Sequence, residues 1–130
     1  MAFSLQSLDE ELTNVAGAYG PPRGKTLLAF LDGAPCGAVA YRRLSDDVCE
    51  MKRMFVSGRV HGRGLGRMLC DAIVAQARTD GFVLMRLDTA RAFTEAIGLY
   101  RSRGFEDCLA YIDYPEAMRP MIVFLEKPLV

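Results

Sequence analysis

Residues 48–67 read VCEMKRMFVSGRVHGRGLGR, and this stretch decides the fold. Its first part, Val48–Val56, predicts a β-strand. Its second part is a glycine-rich turn, His61-Gly62-Arg63-Gly64-Leu65-Gly66, and a helical pattern starts directly after it. Glycines let a ligand approach the backbone closely, and a helix N-terminus offers unpaired N–H groups with a partial positive charge. The stretch therefore predicts a strand, a cradle for an anion such as phosphate, and a helix, in that order.

Two helices are predicted by apolar residues that recur every three or four positions. The first has its apolar face after the glycine turn and is expected to end at Gly81. The second runs from about Phe93 to Tyr100 and is stopped by Gly104. The apolar face of the first helix comprises Leu65, Met68, Leu69, Ala72, Ile73 and Ala77.

The remaining segments predict mostly antiparallel strands. Residues 26–31 and 36–43 flank the turn Asp32-Gly33 as a hairpin, and further strands are expected at 82–87, 105–111 and 121–126. A strand–helix–strand crossover makes its two strands parallel. The prediction is an α/β (α+β) fold with a mixed sheet and helices on both faces. Ser7-Leu8-Asp9-Glu10 has the form of a capping box and predicts a short helix to about Ala16.

Composition bounds the class of protein. The 130 residues fit one domain, 1–130, and 16 basic residues balance 16 acidic ones, which gives no general attraction to nucleic acid or an anionic membrane. The four cysteines have no C-x-x-C spacing, and there is a single histidine, so no metal site is expected. With no apolar run or export signal, we expect a cytoplasmic protein with reduced thiols.

Two common phosphate loops do not fit the glycine turn. A Walker A loop needs Gly-Lys-Ser/Thr at the helix start, but Gly66 is followed by Arg67 and Met68. A dinucleotide loop needs G-x-G-x-x-G, and Gly62-x-Gly64-x-Gly66 has a different spacing. Arg59, Arg63 and Arg67 add charge around the cradle. A glycine-rich connection without a ligand stays open on the glycines alone.

Four segments in order carry a resemblance to a known family. They are the strand with Glu50–Val56, the turn 61–66, the strand 84–88, and 96–105, which reads AIGLYRSRGF. Together they resemble the GNAT superfamily of acyl-CoA-dependent N-acetyltransferases, over roughly residues 24–126. The resemblance implies a central parallel strand pair splayed around the cofactor. It also implies that the first strand and helix are missing or shortened here, and the sheet edge this exposes favours a homodimer.

The resemblance also implies a binding mode for acetyl-CoA or coenzyme A. The pyrophosphate would lie on the N–H groups of residues 62–67, and the pantetheine arm would bond the backbone of Met54 and Val56. His61 stands where the family has Gln or Arg; a backbone contact would change little, and a side-chain contact would make affinity pH-dependent. The implied cofactor contacts are Met54, Phe55, Val56, His61, Gly62, Arg63, Gly64, Leu65, Gly66, Arg67, Phe93, Ala96 and Tyr100.

Acetyl transfer needs a base for the amine and an acid for the departing thiolate. Tyr100 is the expected acid, because the family often places its acid at this tyrosine. Glu50 is the expected base, through a water molecule, and Asp88 is a second candidate. A core tyrosine with a satisfied hydroxyl and a glutamate paired with an arginine are the alternatives.

The acceptor is less well defined by the sequence. A small amine or amino-acid-like molecule is expected, with a protein amine as another possibility. The wall of its site is expected to include Tyr19, Arg23, Asp88, Tyr111, Tyr114 and Arg119. Transfer would occur by direct attack on acetyl-CoA in a ternary complex. A non-catalytic acyl-CoA sensor and an unrelated phosphate-binding module are the alternative functions.

Overall fold

The computed structural model describes residues 3–7 and 24–130, and these form one seven-stranded sheet in the order β1-β2-β3-β4-β5-β7-β6. The strands are β1 (Ser4–Ser7), β2 (Gly24–Leu31), β3 (Ala34–Arg43), β4 (Val48–Val56), β5 (Leu84–Ala90), β6 (Glu106–Asp107) and β7 (Ile122–Pro128). All neighbouring pairs are antiparallel except β4 and β5, which are parallel. The predicted mixed sheet with a central parallel pair is confirmed.

Two helices follow the strands of the parallel pair: α1 (Leu65–Thr79) and α2 (Thr94–Ser102). They pack against each other, since an added Cβ at Gly66 of α1 would lie 3.3 Å from Leu99 Cδ2 of α2. Each helix ends just before a glycine in the left-handed conformation: Gly81 follows α1 with a φ of +96°, and Gly104 follows α2 with a φ of +94°. Short 3₁₀ turns occupy Gly58–Val60 and Arg119–Met121.

The core lies between the sheet and the two helices. Alternate strand residues such as Cys49, Met85 and Leu125 are buried there, against the apolar face of α1. That face comprises Leu65, Leu69, Cys70, Ile73, Val74 and Ala77. Met68, which the periodicity placed on the same face, is 39% exposed.

The predicted strand at 105–111 is wrong over most of its length. β6 comprises Glu106 and Asp107; the N–H of Cys108 still bonds Phe124 O on β7, and beyond it the chain leaves the sheet. The reason is that Tyr111 is drawn across the sheet face to bond Glu50, so the segment cannot continue beside β7.

The N-terminal region supplies a first strand of four residues, all of them exposed. It pairs with β2 and forms one edge of the sheet. The first strand is therefore present rather than missing. The predicted helix to Ala16 lies outside the described residues, and the homodimer stays a prediction.

Candidate active site

A gap between β4 and β5 is the central feature of the site. The two strands pair at three positions, Val48 with Leu84, Cys49 with Met85, and Glu50 with Arg86. Both strands continue, but from Met51 and Leu87 onward they no longer pair. Parallel strands that separate leave backbone N–H and C=O groups facing the gap, ready to bond a ligand. The predicted splaying is confirmed.

A bulge in β4 lies beside this gap. The register with β3 shifts between Ala38 and Ala40, and the residue opposite the shift, Arg53, has a φ of +56°. A non-glycine residue in this region is uncommon and is stabilised here by the surrounding ladder. Bulges bend a strand and increase its twist, and this one lies in the part of β4 that no longer pairs with β5.

The glycine turn forms the N-terminus of α1. Gly62 and Gly64 have φ values of +81° and +82°, which a side chain would disfavour, and Gly64 is the N-cap. The first helical bond joins Met68 N to Gly64 O at 3.1 Å. The N–H groups of Leu65, Gly66 and Arg67 are therefore those that a helix leaves without an internal partner. No acidic residue occupies the first turn to compete for an anion.

Two side chains around the turn, His61 and Arg67, line the cavity over it, whereas Arg59 does not. His61 is exposed, with Nε2 3.3 Å from Glu95 Oε1 on α2. Arg67 borders the cradle. Arg59 donates instead to the carbonyl oxygen of Pro35 at 2.9 Å, so its charge supports the β2–β3 turn.

Two cavities meet at the end of β4. The first, of about 380 Å³, lies over the glycine turn and reaches Leu99 on α2. The second, of about 350 Å³, fills the gap between β4 and β5. Met54 and Ala96 line both. The cradle and the gap therefore form one continuous cleft.

Most predicted cofactor residues line this cleft. The first cavity is lined by Met54, Val56, Val60, His61, Gly62, Gly64, Leu65, Gly66, Arg67, Glu95, Ala96 and Leu99. Phe93 and Tyr100 line the second. Phe55 and Arg63 line neither cavity. Phe55 alternates with Met54 and Val56 along the strand, and its side chain is 60% exposed.

Tyr100 is 7% exposed and lies on α2 against the gap. Burial raises its pKa to about 12. Among residues 3–7 and 24–130, no group accepts a hydrogen bond from its hydroxyl. A buried phenol without a partner among the described residues is unusual, and Tyr100 lines a cavity.

Glu50 is completely buried and lies at the last pair before the gap opens. Arg42 Nε at 2.8 Å and Lys52 Nζ at 3.2 Å contact its Oε1, and the Tyr111 hydroxyl donates to Oε2 at 2.5 Å. A buried carboxylate needs such partners. The expected pairing with an arginine is present, and the residue's role as base stays a prediction.

Asp88 lies across the gap, on β5, and lines the second cavity. The Tyr114 hydroxyl donates to its Oδ2 at 2.6 Å, and this bond is the main reason that the pKa of Tyr114 rises to about 12. Within the described part of the chain, Asp88 Oδ1 has no hydrogen-bond donor. It is a carboxylate oxygen available to a ligand in the gap.

The other predicted wall residues have mixed positions. Tyr111 contacts Glu50, as described. Arg119 is held by Asp113 at 2.6 Å, on the connection between β6 and β7. Tyr19 and Arg23 lie outside the described residues.

The sequence-based prediction missed three polar residues that line the gap: Lys52, Arg53 and Thr89. Strand alternation could have found Lys52, since it lies two residues from Glu50 and so shares its face. Arg53 carries no such signal, because the bulge that places it is not readable from the residue types.

The sequence matches the family model described as Acetyltransferase (GNAT) family over residues 3–105. The chain belongs to this family. It is 35% identical, over 88% of its length, to an uncharacterised N-acetyltransferase of Schizosaccharomyces pombe, of which it covers 72%. It is 38% identical, over 82% of its length, to an uncharacterised N-acetyltransferase of Escherichia coli, of which it covers 63%.

Solved structures agree on the fold. An acetyltransferase of the GNAT family from Staphylococcus aureus superposes with a TM-score of 0.82 at 16% identity, covering 99% of this chain and all of that one. A GNAT family acetyltransferase from Elizabethkingia anophelis with acetyl-CoA bound gives 0.74 at 14% identity, covering 97% of each chain. At these identities the likeness shows the fold alone. Neither described helix has the length and apolar character to cross a membrane.

Proposed function

We propose that this chain transfers an acetyl group from acetyl-CoA to a primary amine by direct attack in a ternary complex. The observation that carries the proposal is the continuous cleft. It joins a phosphate cradle on α1, the unpaired end of β4, and a gap that Tyr100 and Asp88 border. Membership of the family supports the reaction type.

The cofactor would extend along this cleft. Its pyrophosphate would lie on the N–H groups at the start of α1, where the helix dipole and Arg67 favour negative charge. Its pantetheine arm would bond the backbone of Met54 and Val56, because the edge of β4 that faces β5 is unpaired there, while the other edge pairs with β3. The Elizabethkingia relative, which holds acetyl-CoA, supports this choice of cofactor.

The amine would enter from the opposite side of the sheet. The gap passes between residues on the helix side, such as Leu87 and Tyr100, and residues on the other face, such as Lys52 and Asp88. Two ligands can therefore meet inside it from opposite sides. That geometry suits direct attack of the amine on the thioester, without an acetylated enzyme.

Tyr100 would protonate the sulfur of coenzyme A as it departs. The hydroxyl is uncommitted among the described residues, and Tyr100 lines the gap. Burial raises its pKa to about 12, which keeps it protonated at neutral pH. Burial in the gap would likewise raise the pKa of the coenzyme A thiol, so the pKa values of the proton donor and the proton acceptor would stay close.

The base is one of two carboxylates. Asp88 lines the cavity and has a free oxygen within the described residues, so it can take a proton from the amine directly. Glu50 would have to act through a water molecule, because its oxygens already accept from three donors. The acceptor itself would be a small or amino-acid-like amine, or an amine of a protein.

Calorimetry and a thiol-release assay test the proposal in two steps. Titration with acetyl-CoA, coenzyme A and ATP should show a clear preference for the first two. A panel of amines should then release thiol from acetyl-CoA above the rate of hydrolysis. A preference for ATP would contradict the assignment of acetyl-CoA as the cofactor. Binding of acetyl-CoA without thiol release for any amine would indicate a non-catalytic acyl-CoA sensor.

A further inference from the structure

A row of alternating charges crosses four neighbouring strands at the point where the gap opens. Arg42, Glu50, Arg86 and Glu126 lie opposite one another on β3, β4, β5 and β7. Arg42 contacts Glu50 at 2.8 Å, and Arg86 contacts Glu126 at 3.2 Å. Glu50 is the buried member, whereas the other three side chains are one-third to two-fifths exposed. Side chains from outside this row therefore shield Glu50 from solvent.

Tyr111, on the segment after β6, contacts Glu50 and contributes to this shielding. Besides its bond to Glu50, its ring meets Phe124 edge-on at 5.4 Å, and the Arg86 guanidinium lies 5.4 Å from the ring centre. Burial and the bond to Glu50 raise the pKa of Tyr111 well above the ordinary tyrosine value. The hydroxyl thus stays a donor to the carboxylate.

A second tyrosine repeats the arrangement across the gap. Tyr114 donates to Asp88 on β5, and its ring lies 6.1 Å from Phe124. Both tyrosines belong to residues 108–121, the segment between β6 and β7, which we call the strap. The strap is therefore bound to β4 through one carboxylate and to β5 through another, on either side of the gap.

We propose that Glu50 is a positioning residue, which through Tyr111 holds the strap against the acceptor side of the gap. The inference rests on the proposed function, because it assigns the acceptor to that side. Three donors occupy the carboxylate of Glu50, and the lining of the gap includes its neighbours Met51 and Lys52 but not Glu50. Asp88, held by Tyr114, then remains the carboxylate that meets the amine.

Kinetics on Glu50→Gln and Tyr111→Phe test this role, with Tyr41→Phe as a matched control. Tyr41 also donates to a carboxylate, that of Asp80, but it is not part of the strap. Loss of one charge-assisted bond should raise the KM for the amine by about tenfold in Tyr111→Phe, with the KM for acetyl-CoA changed by less than about twofold. The control should leave both values unchanged.

The pH profile separates positioning from proton transfer. Glu50→Gln weakens the charge-assisted bond to Tyr111 but should keep the acidic limb of kcat/KM, because the proton acceptor, Asp88, remains intact. Disappearance of that limb in Glu50→Gln would identify Glu50 as the base and overturn the proposal. Equal changes in both KM values would overturn it too.

Hydrogen exchange gives a readout that does not need turnover. Amides of the strap, including that of Cys108, which bonds Phe124 O at 3.0 Å, should exchange faster in Tyr111→Phe and Glu50→Gln than in the wild type or Tyr41→Phe. Unchanged exchange would refute the holding role. Absence of turnover in the wild type would instead defeat the proposed function, while exchange would still decide whether Glu50 holds the strap.

Discussion

Replacing Gly64 by alanine should weaken acetyl-CoA binding much more than the same change at Gly33. Gly64 caps α1 with a φ of +82°, and Gly33 has a φ of +80° in the β2–β3 turn. An added Cβ meets nothing within 4 Å at either position, so the cost is conformational in both. A left-handed conformation costs an L-residue about 1–2 kcal/mol, which lowers Tm by several degrees in a chain of this length.

The two variants differ in what the strain can move. Relaxation at Gly64 rotates the peptide that leads into Leu65 and Gly66, whose N–H groups belong to the cradle. Loss of one hydrogen bond to a phosphate costs about 1.5–3 kcal/mol, which is about tenfold to a hundredfold in Kd. Relaxation at Gly33 reaches no part of the cradle.

Calorimetric titration with acetyl-CoA and thermal melting measure the two effects separately. The account expects similar losses of Tm in Gly64→Ala and Gly33→Ala, with a weaker Kd in the former alone. Wild-type affinity in a destabilised Gly64→Ala would refute the placement of the phosphates on this turn.

Three further predictions concern the acid and the packing. Tyr100→Phe should lower kcat about tenfold or more while the Kd of acetyl-CoA is kept, and Tyr41→Phe should keep both; unchanged kcat in Tyr100→Phe would remove it as acid. Because burial raises the pKa of Tyr100 to about 12, its proton is retained as the pH rises past about 10, the ordinary pKa of a tyrosine. The kcat of the wild type should therefore not fall near about pH 10. A fall there that is absent from Tyr100→Phe would contradict the burial. Gly37→Ala should lower the free energy of unfolding by about 1–3 kcal/mol, since its Cβ would lie 2.9 Å from Leu65 Cδ2, whereas Gly98→Ala, in open space on α2, should raise it by up to about 1 kcal/mol; denaturant titration of both variants checks the sign.

Local patterns predicted the elements well where one periodicity dominates. The strand Val48–Val56 is as expected. α1 begins at Leu65, inside the predicted turn and at the first residue of the predicted apolar face, because Gly64 is its N-cap. The strand expected at 105–111 was wrong because the tertiary bond between Tyr111 and Glu50 outweighs local β propensity.

The site was predictable where backbone geometry follows from residue type. Gly62 and Gly64 require positive φ, and they identified the cradle. The bulge at Arg53 depends on how β4 pairs with β3, and the bond from Tyr114 to Asp88 joins residues distant in sequence. No local pattern indicates either feature.

The most direct test of acetyl transfer counts products in a single reaction. Wild-type protein is incubated with acetyl-CoA and an amine from the panel, and the released thiol, the acetylated amine and the mass of the protein are measured together. Direct attack predicts one acetylated amine for each thiol, with no acetyl group on the protein when acetyl-CoA is added alone. Thiol release without acetylated amine, or an acetylated protein that forms before the amine is added, would contradict the account.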